Sequence, residues 1–137
     1  MCGQHCIRTY CSTQVSIALS SAEAEYNGLV KASSVALGLR SLYADLGETI
    51  KIHVHTDASS AKSIATRKGL GKVRHLAVHL LWLQEKTAAG EVTVLKVRGE
   101  DNPADILTKY LAQANMTKCM NKLTIMLSLV GPRNALS

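Results

Sequence analysis

Residues 50–57 read Ile50-Lys51-Ile52-His53-Val54-His55-Thr56-Asp57. Apolar and polar side chains alternate as far as His55, so this stretch is a strand with one buried and one open face. The strand runs straight into Asp57, which places an acid at its carboxyl end. In open α/β sheets ligands collect at such ends, where the loop ahead of the next helix is free to carry polar side chains. Downstream, Ser59 to Thr66 reads as a short helix, and the Gly-bracketed basic loop Lys68-Gly69-Leu70-Gly71-Lys72 follows it. Val73 to Ala88 is expected to be a long helix with Leu76, Leu80, Trp82 and Leu83 as apolar surface, closed by Gly90. Glu91 to Val97 reads as a second strand.

Upstream the period lengthens to that of a helix. Ser20-Ser21-Ala22-Glu23 is a capping-box pattern, in which the Ser20 hydroxyl accepts from the Glu23 N–H and the Glu23 carboxylate reaches back to the Ser20 N–H. Tyr26, Leu29, Val30, Ala36, Leu37 and Tyr43 then recur at near-helical spacing. Gly47 stands where a left-handed residue ends such a helix. Ahead of it, His5 to Leu19 is rich in Thr, Val, Ile, Tyr and Cys and ends in the alternating Val15, Ile17, Leu19, which predicts one or two strands. Beyond the second strand, Arg98 to Asp101 is a polar loop. Asn102-Pro103 is a helix start, with Asn as cap and Pro at the first helical position, and Asp105 falls at the third. Met116 to Val130 predicts one more helix before a frayed tail from Gly131-Pro132. The order of elements predicts an α/β fold in one layered domain, without repeats or linkers.

The composition agrees with that reading. Of 137 residues 47% are hydrophobic and 19% charged, with 9 Gly and 2 Pro. Collagen, long coiled coil and wholesale disorder are excluded on those figures. A chain of this length hides roughly 65–70% of its unfolded surface and needs neither disulfide nor structural metal to make a core. Three of the four cysteines, Cys2, Cys6 and Cys11, lie near the amino end and Cys119 lies far away. No apolar run resembling a signal peptide precedes them, so the expected compartment is reducing and intracellular, cytoplasmic or nuclear. Leu123 to Val130 falls well short of the roughly 20 residues of a membrane span, and no membrane insertion is expected. The group Cys2, His5, Cys6 and Cys11 lacks the second pair of a zinc site, and buried or surface thiols are expected instead.

The formal net charge is +6, from 16 Lys plus Arg against 10 Asp plus Glu. Most of the excess is local: between Ile50 and His75 stand Lys51, Lys62, Arg67, Lys68, Lys72 and Arg74 against Asp57 alone. That concentration suits a phosphate backbone, and equally a solvated basic face. Three acids lie at the edges of elements: Glu25 near a helix start, Asp57 at a strand end and Asp105 in a first helical turn. Gathered carboxylates normally hold divalent cations, and hard oxygen donors favour Mg²⁺ or Mn²⁺. Two such ions about 3.5–4 Å apart serve phosphodiester cleavage. Each acid also has a structural explanation, Glu25 as a complement to the helix dipole and Asp57 and Asp105 as caps.

Four separated motifs carry a resemblance. Ile17-Ala18-Leu19-Ser20-Ser21-Ala22-Glu23-Ala24-Glu25-Tyr26, then His55-Thr56-Asp57-Ala58-Ser59-Ser60-Ala61, then Arg74-His75, then Asn102-Pro103-Ala104-Asp105-Ile106-Leu107-Thr108-Lys109 resemble, in that order, the ribonuclease H region closing the polyprotein of copia-type retrotransposons. The resemblance covers about residues 5–112. It implies a partial ribonuclease H-like domain at 1–112, a mixed sheet flanked by helices, followed by a C-terminal helix and tail at 113–137. It further implies hydrolysis of the RNA strand of an RNA–DNA hybrid during reverse transcription, with two Mg²⁺ or Mn²⁺ ions as cofactors. Glu25, Asp57 and Asp105 would be the metal-binding acids and Glu23 the helix cap. Lys62, Arg67, Lys68, Lys72, Arg74 and His75 would follow the nucleic-acid backbone, and the reverse transcriptase portion of the parent polyprotein would be a partner.

One departure stands against this agreement. The family carries a further Asp on a first strand, whereas no acid here precedes Glu23. The expectation is a domain missing its first strands, inactive by itself, whose exposed sheet edge favours self-association. His53, His55 and His79 are expected on strand or helix surfaces, and the loop Arg98 to Asp101 lacks the His of some cellular relatives. A non-catalytic hybrid binder and a remnant without function remain alternatives. An integrase-like nucleotidyl transferase fits the acids but not Asn102-Pro103-Ala104-Asp105.

Overall fold

The hydroxyl of Ser20 opens the first helix. Its backbone is extended (φ −152°, ψ 158°) and its oxygen accepts the Glu23 N–H at 3.2 Å, as the capping pattern requires. The reciprocal bond is displaced by one residue: the buried Glu23 carboxylate accepts from the N–H of Leu19, at 2.9 Å, rather than from that of Ser20. The helix so begun, α1, runs Ser21–Asp45. It stops at Gly47, whose φ of +81° suits a residue without a Cβ. Two bonds close the last turn, Glu48 N–H to Tyr43 O at 2.9 Å and Gly47 N–H to Ala44 O at 3.0 Å, the pair that satisfies orphan helix carbonyls.

In this computed structural model residues 6–14, 17–69 and 81–123 are described. After α1 come β1 (Ile52–Thr56), α2 (Ser59–Thr66), α3 (Trp82–Ala88) and β2 (Val92–Lys96). The strands are parallel, in register from Ile52↔Val92 to Thr56↔Lys96. Ile52 and Val54 of β1 and Val92 and Val94 of β2 are buried in one core with Tyr26 and Leu29 of α1, Ile64 of α2 and Leu83 of α3. The helix α2 keeps the expected limits. For the helix expected over Val73 to Ala88, Trp82–Ala88 is observed, and residues 70–80 lie outside the described residues. Gly90 ends α3 as Gly47 ends α1: its φ is +73°, Glu91 N–H bonds Lys86 O at 3.0 Å and Gly90 N–H bonds Thr87 O at 3.1 Å.

Just before β2, Glu91 fastens two helices. One carboxylate oxygen meets Arg40 of α1 at 2.6 Å and the other meets Lys86 of α3 at 2.7 Å. These hydrogen bonds, that of Lys86 first, hold the Glu91 carboxyl below its usual range.

Among the described residues of the segment His5 to Leu19, where strands are expected, no strand forms. Residues 6–14 and 17–18 carry no regular structure, while His5, Val15 and Ser16 lie outside the described residues. A strand exists only against a neighbour, and the described sheet consists of β1 and β2 alone. The composition supplies the propensity, and the described residues 6–14 and 17–18 lack the pairing.

The chain divides into two compact units, Thr13–Gly99, which holds all the elements above, and Met1–Ser12 with Glu100–Ser137. Within the second, Asn102 caps as expected, accepting the Ala104 N–H at 3.2 Å, but the turn it starts is a 3₁₀ helix, Pro103–Leu107, rather than an α-helix. The helix α4, Gln113–Lys122, begins three residues before the expected Met116; the rest of the expected segment lies beyond residue 123, outside the described residues. Lys118 and Lys122 of α4 both reach Asp101 Oδ1, at 2.9 and 2.8 Å. Buried Cys119 donates weakly to Asn102 O at 3.9 Å. No helix among the described residues is long and apolar enough to cross a membrane.

Two outcomes follow from this packing. Leu83 is fully buried in the core, so Leu83→Ala lowers stability in urea by about 2–5 kcal/mol, while Ser20→Ala costs about 1 kcal/mol. Hydrogen bonds from Lys122 and Lys118 hold the Asp101 carboxyl down at about 2. The unfolded chain takes up that proton near the ordinary value of about 4, so the contribution is complete above that pH and lost as pH falls towards 2. Carboxyl NMR on Asp101 should show its titration near 2, and α4 helicity should fall over the same window. An Asp101 that titrates near 4 contradicts the pairing.

Candidate functional site at the carboxyl edge of the sheet

Parallel pairing brings the carboxyl ends of β1 and β2 to one edge. The ladder continues one bond past the strands, with Val97 N–H on Thr56 O at 2.9 Å. Thr56 then turns the chain: its hydroxyl oxygen accepts the Ala58 N–H at 3.1 Å, and α2 starts at the next residue. Asp57 is the corner of that turn and is half-buried. It does not cap α2, because the cap position is Ala58 and no side chain accepts there. The structural explanation weighed for Asp57 as a cap is therefore removed. Two groups from β2 and its exit close on this corner. The Lys96 ammonium donates to the backbone oxygen of Asp57. A Cβ built on Gly99 would lie 3.7 Å from Asp57 Oδ2, an ordinary contact, so the loop runs alongside the carboxylate without pressing on it.

The other two acids are placed differently. Glu25 lies exposed one turn into α1, in the same unit as Asp57. The first-turn acid is Glu23, so Glu25 is not needed to complete the cap. Asp105 belongs to the second unit. Its side chain is 14% exposed and Oδ2 holds Lys109 at 2.9 Å, one helical turn on. Since Asn102 performs the capping, the observed work of Asp105 is this ion pair. Among the described residues no three His, Cys, Asp or Glu side chains gather into a group that could hold a metal ion. Cys6 is half-buried, Cys11 exposed and Cys119 buried, all as free thiols; Cys2 and His5 lie outside the described residues.

Of the expected phosphate contacts, Lys62 lies half-buried on α2, Arg67 half-buried at its end and Lys68 exposed just beyond; Lys72, Arg74 and His75, with His79, fall outside the described residues. Arg67 also acts inward. The fully buried Tyr26 has its phenol pushed up to about 12 by desolvation, and the charge of Arg67 pulls in the opposite direction. What sequence reading missed is Gln84. Its buried amide donates to Ile64 O at 2.9 Å and Gly69 O at 3.1 Å, and accepts the Gly69 N–H at 3.0 Å. One side chain of α3 thus ties down the end of α2 and the basic residues leaving it. The available signal was an uncharged polar residue directly after the core Leu83.

No protein-family model matches the chain, and no solved structure matches it. The chain is 29% identical over 108 residues to the retrovirus-related Pol polyprotein from transposon TNT 1-94 of Nicotiana tabacum, a match covering 77% of this chain. The chain spans only 8% of that polyprotein. This similarity supports a retrotransposon Pol origin.

Gln84→Ala would leave two carbonyls and an N–H without their partner. The expected loss is about 1–3 kcal/mol by chemical unfolding. Amide exchange at Gly69 should also accelerate well beyond that at Val54; equal acceleration at both would mean that Gln84 serves general packing only.

Proposed function

We propose that this chain is the ribonuclease H portion of a copia-type retrotransposon Pol polyprotein, with a ribonuclease H-like fold and with Glu25, Asp57 and Asp105 as its metal-binding acids. The observation that carries the reading is Asp57: an acid at the carboxyl end of a parallel strand, immediately before a helix that it does not cap. The Pol similarity and the order of the four motifs support it. The family acts on the RNA strand of RNA–DNA hybrids, and this is the proposed substrate. The reverse transcriptase portion of the polyprotein is the proposed partner, in the cytoplasm or nucleus.

The donor set fits the implied ions by its chemistry. Three carboxylates offer hard oxygens of the kind Mg²⁺ and Mn²⁺ prefer. When bound, a pair of such ions would activate water and neutralise charge on the leaving oxygen. The chain's own residues supply the rest. Asp57 and Glu25 present carboxylates from one unit, Asp105, now paired with Lys109, would offer its carboxylate to a cation, and Lys96 sets a positive charge beside the Asp57 corner. Lys62, Arg67 and Lys68, continued in sequence by Lys72, Arg74 and His75, bind backbone phosphates. Because no acid precedes Glu23, the proposed role of these 137 residues by themselves is to hold the hybrid without cutting it.

A labelled RNA–DNA hybrid tests both parts. Binding should weaken with salt, and Lys62→Ala and Lys68→Ala should each reduce the log–log salt slope by about 0.9 or less. With Mg²⁺ the 137-residue chain should leave the RNA intact. Extension at its amino end by a strand bearing an Asp should restore cutting, which Asp57→Asn should abolish. Cutting that persists in Asp57→Asn, or an extended chain that binds without ever cutting, overturns the proposal.

A further inference from the structure

The hydrogen bonds of Gln84 reach the point where α2 gives way to exposed basic sequence. Gln84 is itself anchored from α3: Leu83 beside it is fully buried in the core, and the Gln84 N–H bonds Leu81 O at 2.9 Å in the first turn. A side-chain amide carries two N–H donors and a carbonyl acceptor. Both donors are used, on Ile64 O and Gly69 O, and the carbonyl takes the Gly69 N–H. Gly69 is thus held through both of its backbone groups. The polarity suits an amide and not a carboxylate, which would face the same two carbonyl oxygens with nothing to donate.

Lys68 lies between two anchors. Before it, Arg67 ends α2 with extended backbone (φ −84°, ψ 165°) and its N–H on Ser63 O at 3.3 Å. After it, Gly69 has a φ of +77°, a conformation suited to a residue without a Cβ. The Lys68 side chain between them is exposed. Lys62 is fixed differently. It lies within α2, where its N–H bonds Ala58 O at 3.1 Å and its carbonyl accepts the Thr66 hydroxyl at 3.0 Å, so the helix holds its backbone whatever Gln84 does. Arg67 still belongs to the helix ladder, and its charge acts partly on buried Tyr26. Of these three cations, Lys68 is the one whose backbone lies past the last helical bond, and the next anchor along the chain is the one Gln84 makes.

We propose that Gln84 is a positioning residue for nucleic-acid binding: by holding Gly69 it sets Lys68 in advance as a contact to a backbone phosphate of the RNA–DNA hybrid. The inference rests on the hybrid-binding reading above, and adds to it that one of the phosphate contacts depends on a buried side chain of another helix. A lysine on a loosely held backbone must be ordered when the phosphate arrives, and that ordering subtracts from affinity. A backbone anchored on both sides has given up the same freedom already, on folding. Lys62 gains nothing from Gln84 by this argument, so the two lysines separate a positioning role from a general contribution to stability.

A double-mutant cycle on the 137-residue chain and the labelled hybrid tests it, at a temperature where circular dichroism shows every variant folded. Gln84→Met keeps the length of the side chain and removes its three bonds. With Gln84 in place, Lys68→Ala weakens binding and lowers the log–log salt slope by about 0.9 or less. Combined with Gln84→Met, the effect of Lys68→Ala on Kd should shrink about twofold or more, and its effect on the slope by more than half. Lys62→Ala should act equally in both backgrounds, a comparison that lost stability alone does not move. Gly69→Ala meets no neighbour but is strained at the same positive φ. It should mask Lys68→Ala and spare Lys62→Ala in the same way, and it decides the matter if Gln84→Met does not fold. Lys68→Ala acting equally in both backgrounds, or Lys62→Ala masked along with it, overturns this proposal and leaves the hybrid-binding reading standing. A chain that binds no hybrid at all overturns both.

Discussion

Two five-residue strands paired in parallel govern the rest of this structure. A parallel pair cannot be closed by a tight turn, so the chain between them must cross over, and α2 and α3 occupy that crossover. Their apolar sides, with that of α1, cover Ile52, Val54, Val92 and Val94. Parallel direction also brings both carboxyl ends to one edge. Asp57, Lys96 and Gly99 meet there although some forty positions separate them in the chain. The chemistry proposed for the corner therefore follows from the direction of pairing before any individual side chain is considered.

Features decided by near neighbours in the chain were legible. The Ser20 and Asn102 caps, the limits of α2 and the glycine stops at Gly47 and Gly90 depend on residues within about five positions, and all are observed. Features decided at a distance were not. The segment 5–19 has strand composition, but a strand requires a partner that local sequence does not specify. Gln84 looks like any helix-surface amide until Ile64 and Gly69 are folded against it. The displaced bond from Leu19 to Glu23 shows the same limit on a smaller scale, since a carboxylate reaches whichever of two adjacent N–H groups the chain entry presents.

The candidate site divides along the same line. Asp57 could be singled out because its strand ends abruptly in a polar corner, and the folded chain removed the competing explanation by placing Ala58 at the cap. Glu25 could be separated from Glu23 because the cap uses the earlier acid. For Asp105 the sequence offered capping, while the fold offers an ion pair with Lys109. A partial match to a tobacco Pol polyprotein supports a retrotransposon Pol origin.

The glycine stops have a kinetic consequence. Gly47 and Gly90 each redirect the chain from a helix into a strand with the same pair of backbone bonds, so both corners can assemble from adjacent residues early in refolding. The ladder between them joins partners forty positions apart and must await closure of a long loop, whose entropic cost no local preference reduces. Refolding should thus pass its barrier with the helix–strand corners already turned and the sheet still open.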